Sequence, residues 1–344
     1  MDWFERLTGF RETGFDDTRH QLRVAERRLH SLVNGKSYAI GTLELVSLQS
    51  LRERVAAAGT PAGQLKVSVV TGDVRAMHQL PANAGGLFQV ASQFNLLEMT
   101  SNRVTPEDGV TRYTYDRTQG PACAQAAGAA TIYRNYFAPV GDAIGQTRDR
   151  QLDGLADLGQ TLSAALGLPV AALWSMENGY AMCSQSGLDA ISAHLTSLDP
   201  QALDALRGLL RIGVHSDVEV TDAPGPERPL VSQAFCSALP ISYVPSVPLA
   251  HWQAFATLIL QATYEATLWA AVLNAQRGGS KVVLLTRVGG GVFGNHDDWI
   301  HAAMRRALDL AAGHDLHVKL VSYGTPSSAM LEMSAGRPGH KPGQ

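Results

Sequence analysis

The sequence predicts an α/β fold, because at three places an apolar run that reads as a strand ends in glycine or polar residues at a turn. Residues 281–295, KVVLLTRVGGGVFGN, pass from Val282, Val283, Leu284 and Leu285 into Gly289, Gly290, Gly291 and Gly294. Residues 65–70 run directly into Thr71-Gly72-Asp73-Val74, and residues 87–95, LFQVASQFN, form a second apolar strand that finishes in polar side chains. Helical patterns lie between and after these runs. In open α/β sheets the carboxyl ends of strands are where ligands sit, so these three turns are the places to look for a site.

Taken in order, residues 1–35 mix charge with Leu22, Val24, Ala25, Leu29 and Leu32, which can line one helical face up to the break at Asn34-Gly35. A strand over 38–43 and a helix ending at Gly59, before Pro61, are expected next. After the strands at 65–70 and 87–95 comes a turn-rich loop around Pro106, Asp108 and Gly109. A helix of very small residues follows over 123–136, with Gln119-Gly120-Pro121 at its amino end. Small residues allow close approach, to a neighbouring helix or to a ligand. Asp73 has two readings, as a turn or cap residue and as a ligand contact.

Residues 152–166, 188–195 and 202–210 read as Ala/Leu-rich helices, and WSMENGYAM over 174–182 reads as a hairpin about Asn178-Gly179. Strands are expected over 212–221 and 230–243. Residues 251–276 carry Trp252, Phe255, Ile259, Ala262, Ala266, Trp269 and Leu273 at spacings of three and four, a core stripe. Residues 297–311 repeat apolar residues at helical spacing behind Asp297 and Asp298, and residues 331–344 are expected to form a disordered tail.

The 344 residues can hold two ordinary domains or one elaborated domain, and 28 basic against 31 acidic residues give a net charge of −3. No footprint for polymeric nucleic acid is present in that balance, whereas a small phosphorylated ligand is compatible with it. Cys123, Cys183 and Cys236 are odd in number and widely spaced, which fits a reducing cytoplasm. The opening MDWFERLTGF is not expected to be a secretion signal, and Gln253, Gln261, Glu265 and Asn274 argue against a membrane span over 251–276.

Strand, glycine loop and helix together form the grammar of an anion site, with backbone N–H groups free to face phosphate. Gly289-x-Gly291-x-x-Gly294 matches the dinucleotide fingerprint by letter, but no acidic residue follows at the end of a next strand, and no Gly-Lys-Ser/Thr marks a Walker loop. The order of Gly72-Asp73-Val74, then Asn95, then GGGVFGN resembles the macrodomain superfamily, including its diverged poly(ADP-ribose) glycohydrolase-like members, over about residues 66–324. That resemblance implies a three-layer α/β mixed sheet with helices on both faces, elaborated by residues 1–60 and by helices within 141–210. It implies a small-molecule ligand, ADP-ribose or a related adenine dinucleotide, and hydrolysis of an ADP-ribosyl linkage without metal or cofactor. By position, Asp73 resembles the acceptor of the adenine amino group, with Val74 beside the base and Tyr323 flanking it. Asn95 resembles the residue near the distal ribose, and Gly290, Gly291, Val292, Phe293, Gly294 and Asn295 resemble the diphosphate loop.

The family's first glycine loop is replaced by NLLEMTSNRVTPEDG and DRTQGPACA, so the catalytic group is sought among the carboxylates nearby, Glu98 and Asp116. Gln119 and Gly120 complete the candidate ligand contacts. Two alternatives stand beside this reading: a non-catalytic sensor of ADP-ribose, and a cysteine hydrolase with Cys123 at a helix start. His314-x-x-His317 lacks companion ligands for zinc.

Overall fold

The computed structural model describes residues 1–59 and 62–335. At its centre a seven-stranded mixed sheet runs in the order Thr42–Ser47, Arg211–Glu219, Leu230–Cys236, Leu87–Ala91, Val282–Leu285, His317–Ser322, Lys66–Thr71. Arg211–Glu219 is antiparallel to both neighbours and every other pairing is parallel. Consequently the strands from Leu230–Cys236 to Lys66–Thr71 bring their carboxyl ends to one edge.

Side chains alternate across a pleated strand, and these strands are apolar on both faces. Leu87, Ala234, Val283 and Leu285 face one core, whereas Phe88, Val90, Phe235 and Leu284 face the other. Leu249–Gln276 covers the first face, with Leu48–Ala58, Gln185–Ser197 and Asp297–Leu310 packed against it. Val74–His78, Gln119–Ala126 and Gly128–Tyr136 cover the second. The three-layer α/β arrangement expected from the sequence is therefore present.

Leu249–Gln276 buries the expected stripe. It is long and apolar enough to cross a membrane, but 78% of its most apolar window is buried inside the fold, as in a core helix. Glu265 on this helix accepts hydrogen bonds from Arg52 Nε at 2.6 Å, Arg306 Nη1 at 2.6 Å and Trp269 Nε1 at 3.0 Å, tying three helices together.

Several boundaries differ from the sequence reading. Leu22–Ala25 and Arg28–Ser31 form an antiparallel hairpin rather than a helical face, because Glu26 and Arg27 both take positive φ and reverse the chain in two residues. Within the expected extension, residues 1–60, Thr42–Ser47 is a strand of the central sheet and Leu48–Ala58 packs on the long helix. The small-residue helix is two helices, Gln119–Ala126 and Gly128–Tyr136, broken where Gly128 N–H donates to Thr221 Oγ1 at 2.8 Å instead of continuing the helical ladder. The strand at 87–95 stops at Ala91, and that at 230–243 stops at Cys236 ahead of Pro240. The helix Ser328–Ala335 runs into the expected tail, and residues 336–344 lie outside the described residues. Within 141–210 the helices are joined by the hairpin Trp174–Glu177 and Tyr180–Cys183, as its Asn-Gly turn predicts.

Candidate functional site

The carboxyl edge of the sheet holds a groove with two lobes. One, of about 280 Å³, is bounded by Ala91, Ser92 and Gln93 after Leu87–Ala91, by Ala238 after Leu230–Cys236, and by Thr286 to Phe293 after Val282–Leu285. The other, of about 450 Å³, is bounded by Gly72, Asp73, Val74 and Tyr323 after the two outermost strands. Asp116, Thr118, Gln119 and Thr286 line both lobes.

The glycine loop is shaped from behind. Tyr264 Oη donates to Thr286 O at 2.8 Å and accepts from Val288 N–H at 2.9 Å, which fixes the strand exit. Asn295 donates to Leu239 O at 2.8 Å and to Gly289 O at 3.1 Å. Gly289 has φ +81°, and a Cβ there would stand 2.5 Å from the Ala238 side chain, so only glycine fits. Gly290, Gly291, Val292 and Phe293 line the lobe as expected. Gly294 and Asn295 do not: Gly294 packs on Ser242 and Asn295 is the buried fastener. The Phe293 ring lies 5.4 Å from that of Tyr180 and 5.8 Å from that of Tyr243, an aromatic wall whose tyrosines the sequence reading missed.

In the second lobe Asp73 caps Val74–His78, its Oδ1 accepting from Arg75 N–H at 2.8 Å, as its cap reading expects, and it also lines the lobe. Val74 is a buried wall and Tyr323 is 85% exposed at the rim. Arg75 also lines this lobe, with its guanidinium paired to Asp222, at 2.7 and 2.9 Å, and to Gln125 Oε1 at 2.9 Å.

At the junction, Gln119 continues the sheet with its side chain: Oε1 accepts from Ala91 N–H and Nε2 donates to Gln89 O, both at 2.8 Å. Gly120 then presses on the strand end, where a Cβ would come within 2.0 Å of Ala91 O. Gly120→Ala is expected to cost about 1–3 kcal/mol through overpacking, read as a lower urea midpoint at unchanged slope.

The two candidate catalytic carboxylates are in different situations. Asp116 lies in the wall common to both lobes, with Oδ1 accepting from Thr118 N–H at 2.8 Å and Thr118 Oγ1 at 2.6 Å. Among the described residues its Oδ2 takes no hydrogen bond. Glu98 borders the first lobe, but its side chain is wholly buried, and Arg134 Nη2 donates to its two oxygens at 2.9 and 3.2 Å. Burial pushes the Glu98 carboxyl up to about 7, against the pull of the Arg134 guanidinium.

Two further expectations are corrected. Asn95 lies outside the groove: Oδ1 accepts from Leu97 N–H at 3.0 Å and Nδ2 donates to Gln151 Oε1 at 2.9 Å, because the chain turns away four residues earlier, at Ala91. Cys123 is fully buried, and desolvation pushes its thiol well above the ordinary range, which removes the nucleophile that a cysteine hydrolase requires. Arg287, a cation two residues before the glycines, also lines the first lobe. Among the described residues no group of three or more His, Cys, Asp or Glu side chains is placed to hold a metal ion.

No family model matches the chain, and no curated protein matches it. Among solved structures, the chain is similar to a poly(ADP-ribose) glycohydrolase from Deinococcus radiodurans, a T267K mutant in complex with ADP-ribose. The identity is 13% and the TM-score 0.46, over 86% of this chain and 94% of that one. It is similar also to a poly(ADP-ribose) glycohydrolase from Thermomonospora curvata, at 13% identity and TM-score 0.45, over 94% and 95% of the two chains. The latter enzyme bound to the inhibitor ADP-HPD gives 14% identity and TM-score 0.44 over 93% and 95%. At such identity the groove's own residues have to decide the chemistry.

Proposed function

We propose that the groove binds ADP-ribose or a related adenine dinucleotide and that the protein hydrolyses an ADP-ribosyl linkage. The observation that carries this reading is the pair of adjacent cavities at the strand ends, which share Asp116, Thr118, Gln119 and Thr286, with a carboxylate, Asp73, in one and a glycine loop in the other. A carboxylate accepts from an exocyclic amine, glycines admit phosphate, and aromatic rings at each end stack on planar or sugar faces. An elongated ligand with a base, a diphosphate and a second sugar matches that order.

Asp116 is the carboxylate assigned to the reaction. Thr118 fixes one of its oxygens, and the other is available to take a proton from water as that water attacks the anomeric carbon. As the glycosidic bond breaks, the proton taken by Asp116 passes through solvent to the departing atom, giving free ADP-ribose, the protonated leaving group and the restored carboxylate. Because Glu98 is buried in an ion pair, Asp116 is, among the described residues, the one carboxylate of the glycine-loop lobe left to act, and a second reading is a sensor that binds without turnover.

Incubation with mono- and poly(ADP-ribosyl)ated substrates distinguishes these readings: release of free ADP-ribose is expected, and binding without release would establish the sensor. Gly291→Glu serves as the control. Gly291 faces open space, so a glutamate there is expected to project a like charge into the anion lobe and abolish binding, while φ +60° costs about 1–2 kcal/mol of stability. Retained affinity in that variant would remove the loop from the site.

A further inference from the structure

We infer that Arg287 is the side-chain ligand of the bound phosphates and that Asp297 holds it aside until phosphate displaces the carboxylate. The inference rests on the phosphate-binding reading of the glycine-loop lobe and names the charged group that reading lacks.

Among the described residues Arg287 is the only cation lining that lobe, whose other charged wall residues are the carboxylates of Glu98 and Asp116. Arg134 already neutralises Glu98, which leaves Asp116 opposing any anion that enters. Backbone N–H groups alone would have to hold a diphosphate against it. The Arg287 guanidinium is close to where that diphosphate would lie: its Nη2 is 3.6 Å from the position of a Cβ on Gly290, and its carbonyl accepts from Gly290 N–H at 3.1 Å. Its side chain is thus the flank of the loop itself.

The present pose is incompletely satisfied. Nη2 pairs with Asp297 in the first turn of Asp297–Leu310, whereas Nε is buried with no acceptor among the described residues. A buried guanidinium donor without a partner is costly, and a phosphate oxygen in the adjoining cavity would supply one. The ion pair that competes is weak, because its side chains are 38% and 55% exposed and such pairs are screened by solvent. Exchange of one carboxylate for two phosphates is therefore favourable. Asp297 is then released in the first turn of its helix, where a negative charge is stabilised by the unpaired N–H groups.

The test is calorimetric titration of wild type, Arg287→Gln and Asp297→Asn with ADP-ribose, ADP, pyrophosphate and adenosine. Arg287→Gln is expected to weaken ADP-ribose, ADP and pyrophosphate about tenfold or more and to leave adenosine unchanged. Asp297→Asn, which frees the guanidinium without removing it, is expected to tighten the three phosphate ligands several-fold. Unchanged ADP-ribose affinity in Arg287→Gln, or weaker phosphate binding in Asp297→Asn, would overturn the inference. Pyrophosphate binding that depends on Arg287, with no binding of adenosine or ADP-ribose, would uphold it while overturning the dinucleotide reading. Wild type that binds none of the four overturns both.

Discussion

Asp116→Asn is expected to lower turnover of an ADP-ribosylated substrate by about 10²- to 10⁴-fold while ADP-ribose affinity stays within a few-fold of wild type. Asparagine keeps the oxygen that Thr118 binds, so the turn before Gln119–Ala126 survives and only the proton-accepting charge is lost. Single-turnover release of ADP-ribose checks the first part and calorimetry the second. If turnover persists at the wild-type rate, Asp116 is not the reacting carboxylate.

Arg134→Ala is expected to destabilise the fold by about 3–5 kcal/mol, the usual consequence of leaving one member of a buried ion pair alone. Arg134 does more than neutralise Glu98. Its Nε donates to Leu96 O at 3.1 Å, Nη2 donates to Thr131 Oγ1 at 3.1 Å, and the guanidinium carbon lies 3.8 Å from the centroid of the Phe235 ring. One side chain thus fastens the turn after Leu87–Ala91, the helix Gly128–Tyr136 and the strand Leu230–Cys236. Urea unfolding reads the loss as a lower midpoint at unchanged slope, and a change below about 1 kcal/mol would show that the pair does not hold the junction. Glu98→Gln separates structure from chemistry: in the folded fraction it is expected to keep turnover within a few-fold. A loss of about 10²-fold or more with binding intact would transfer the catalytic assignment to Glu98.

What the sequence made legible was local. The run Val282–Leu285 followed by glycines, and Lys66–Thr71 followed by Gly72-Asp73, are contiguous signals of strand and turn, and both sit on the groove. The stripe of Leu249–Gln276 was equally plain, because helical spacing survives over many residues. The misread elements lacked local punctuation. Glu26 and Arg27 turn the first hairpin at positive φ without a glycine, and Leu22 and Leu29, seven apart, suit a helix as well as a strand. Asn95 was placed in the groove because an apolar run can outlast its strand, here beyond Ala91. The role of Glu98 depended on Arg134, 36 residues further on, and the aromatic wall on Tyr180 and Tyr243 meeting Phe293 from distant segments. Such pairings follow from tertiary packing, which residue spacing does not encode.

Calorimetric titration of the purified protein with ADP-ribose, repeated with Asp73→Ala, is the decisive measurement. The groove reading predicts saturable one-to-one binding in wild type and a loss of about tenfold or more when the carboxylate at the adenine end is removed. Absence of heat with ADP-ribose, or binding that Asp73→Ala leaves untouched, would contradict the placement of an adenine dinucleotide along these strand ends.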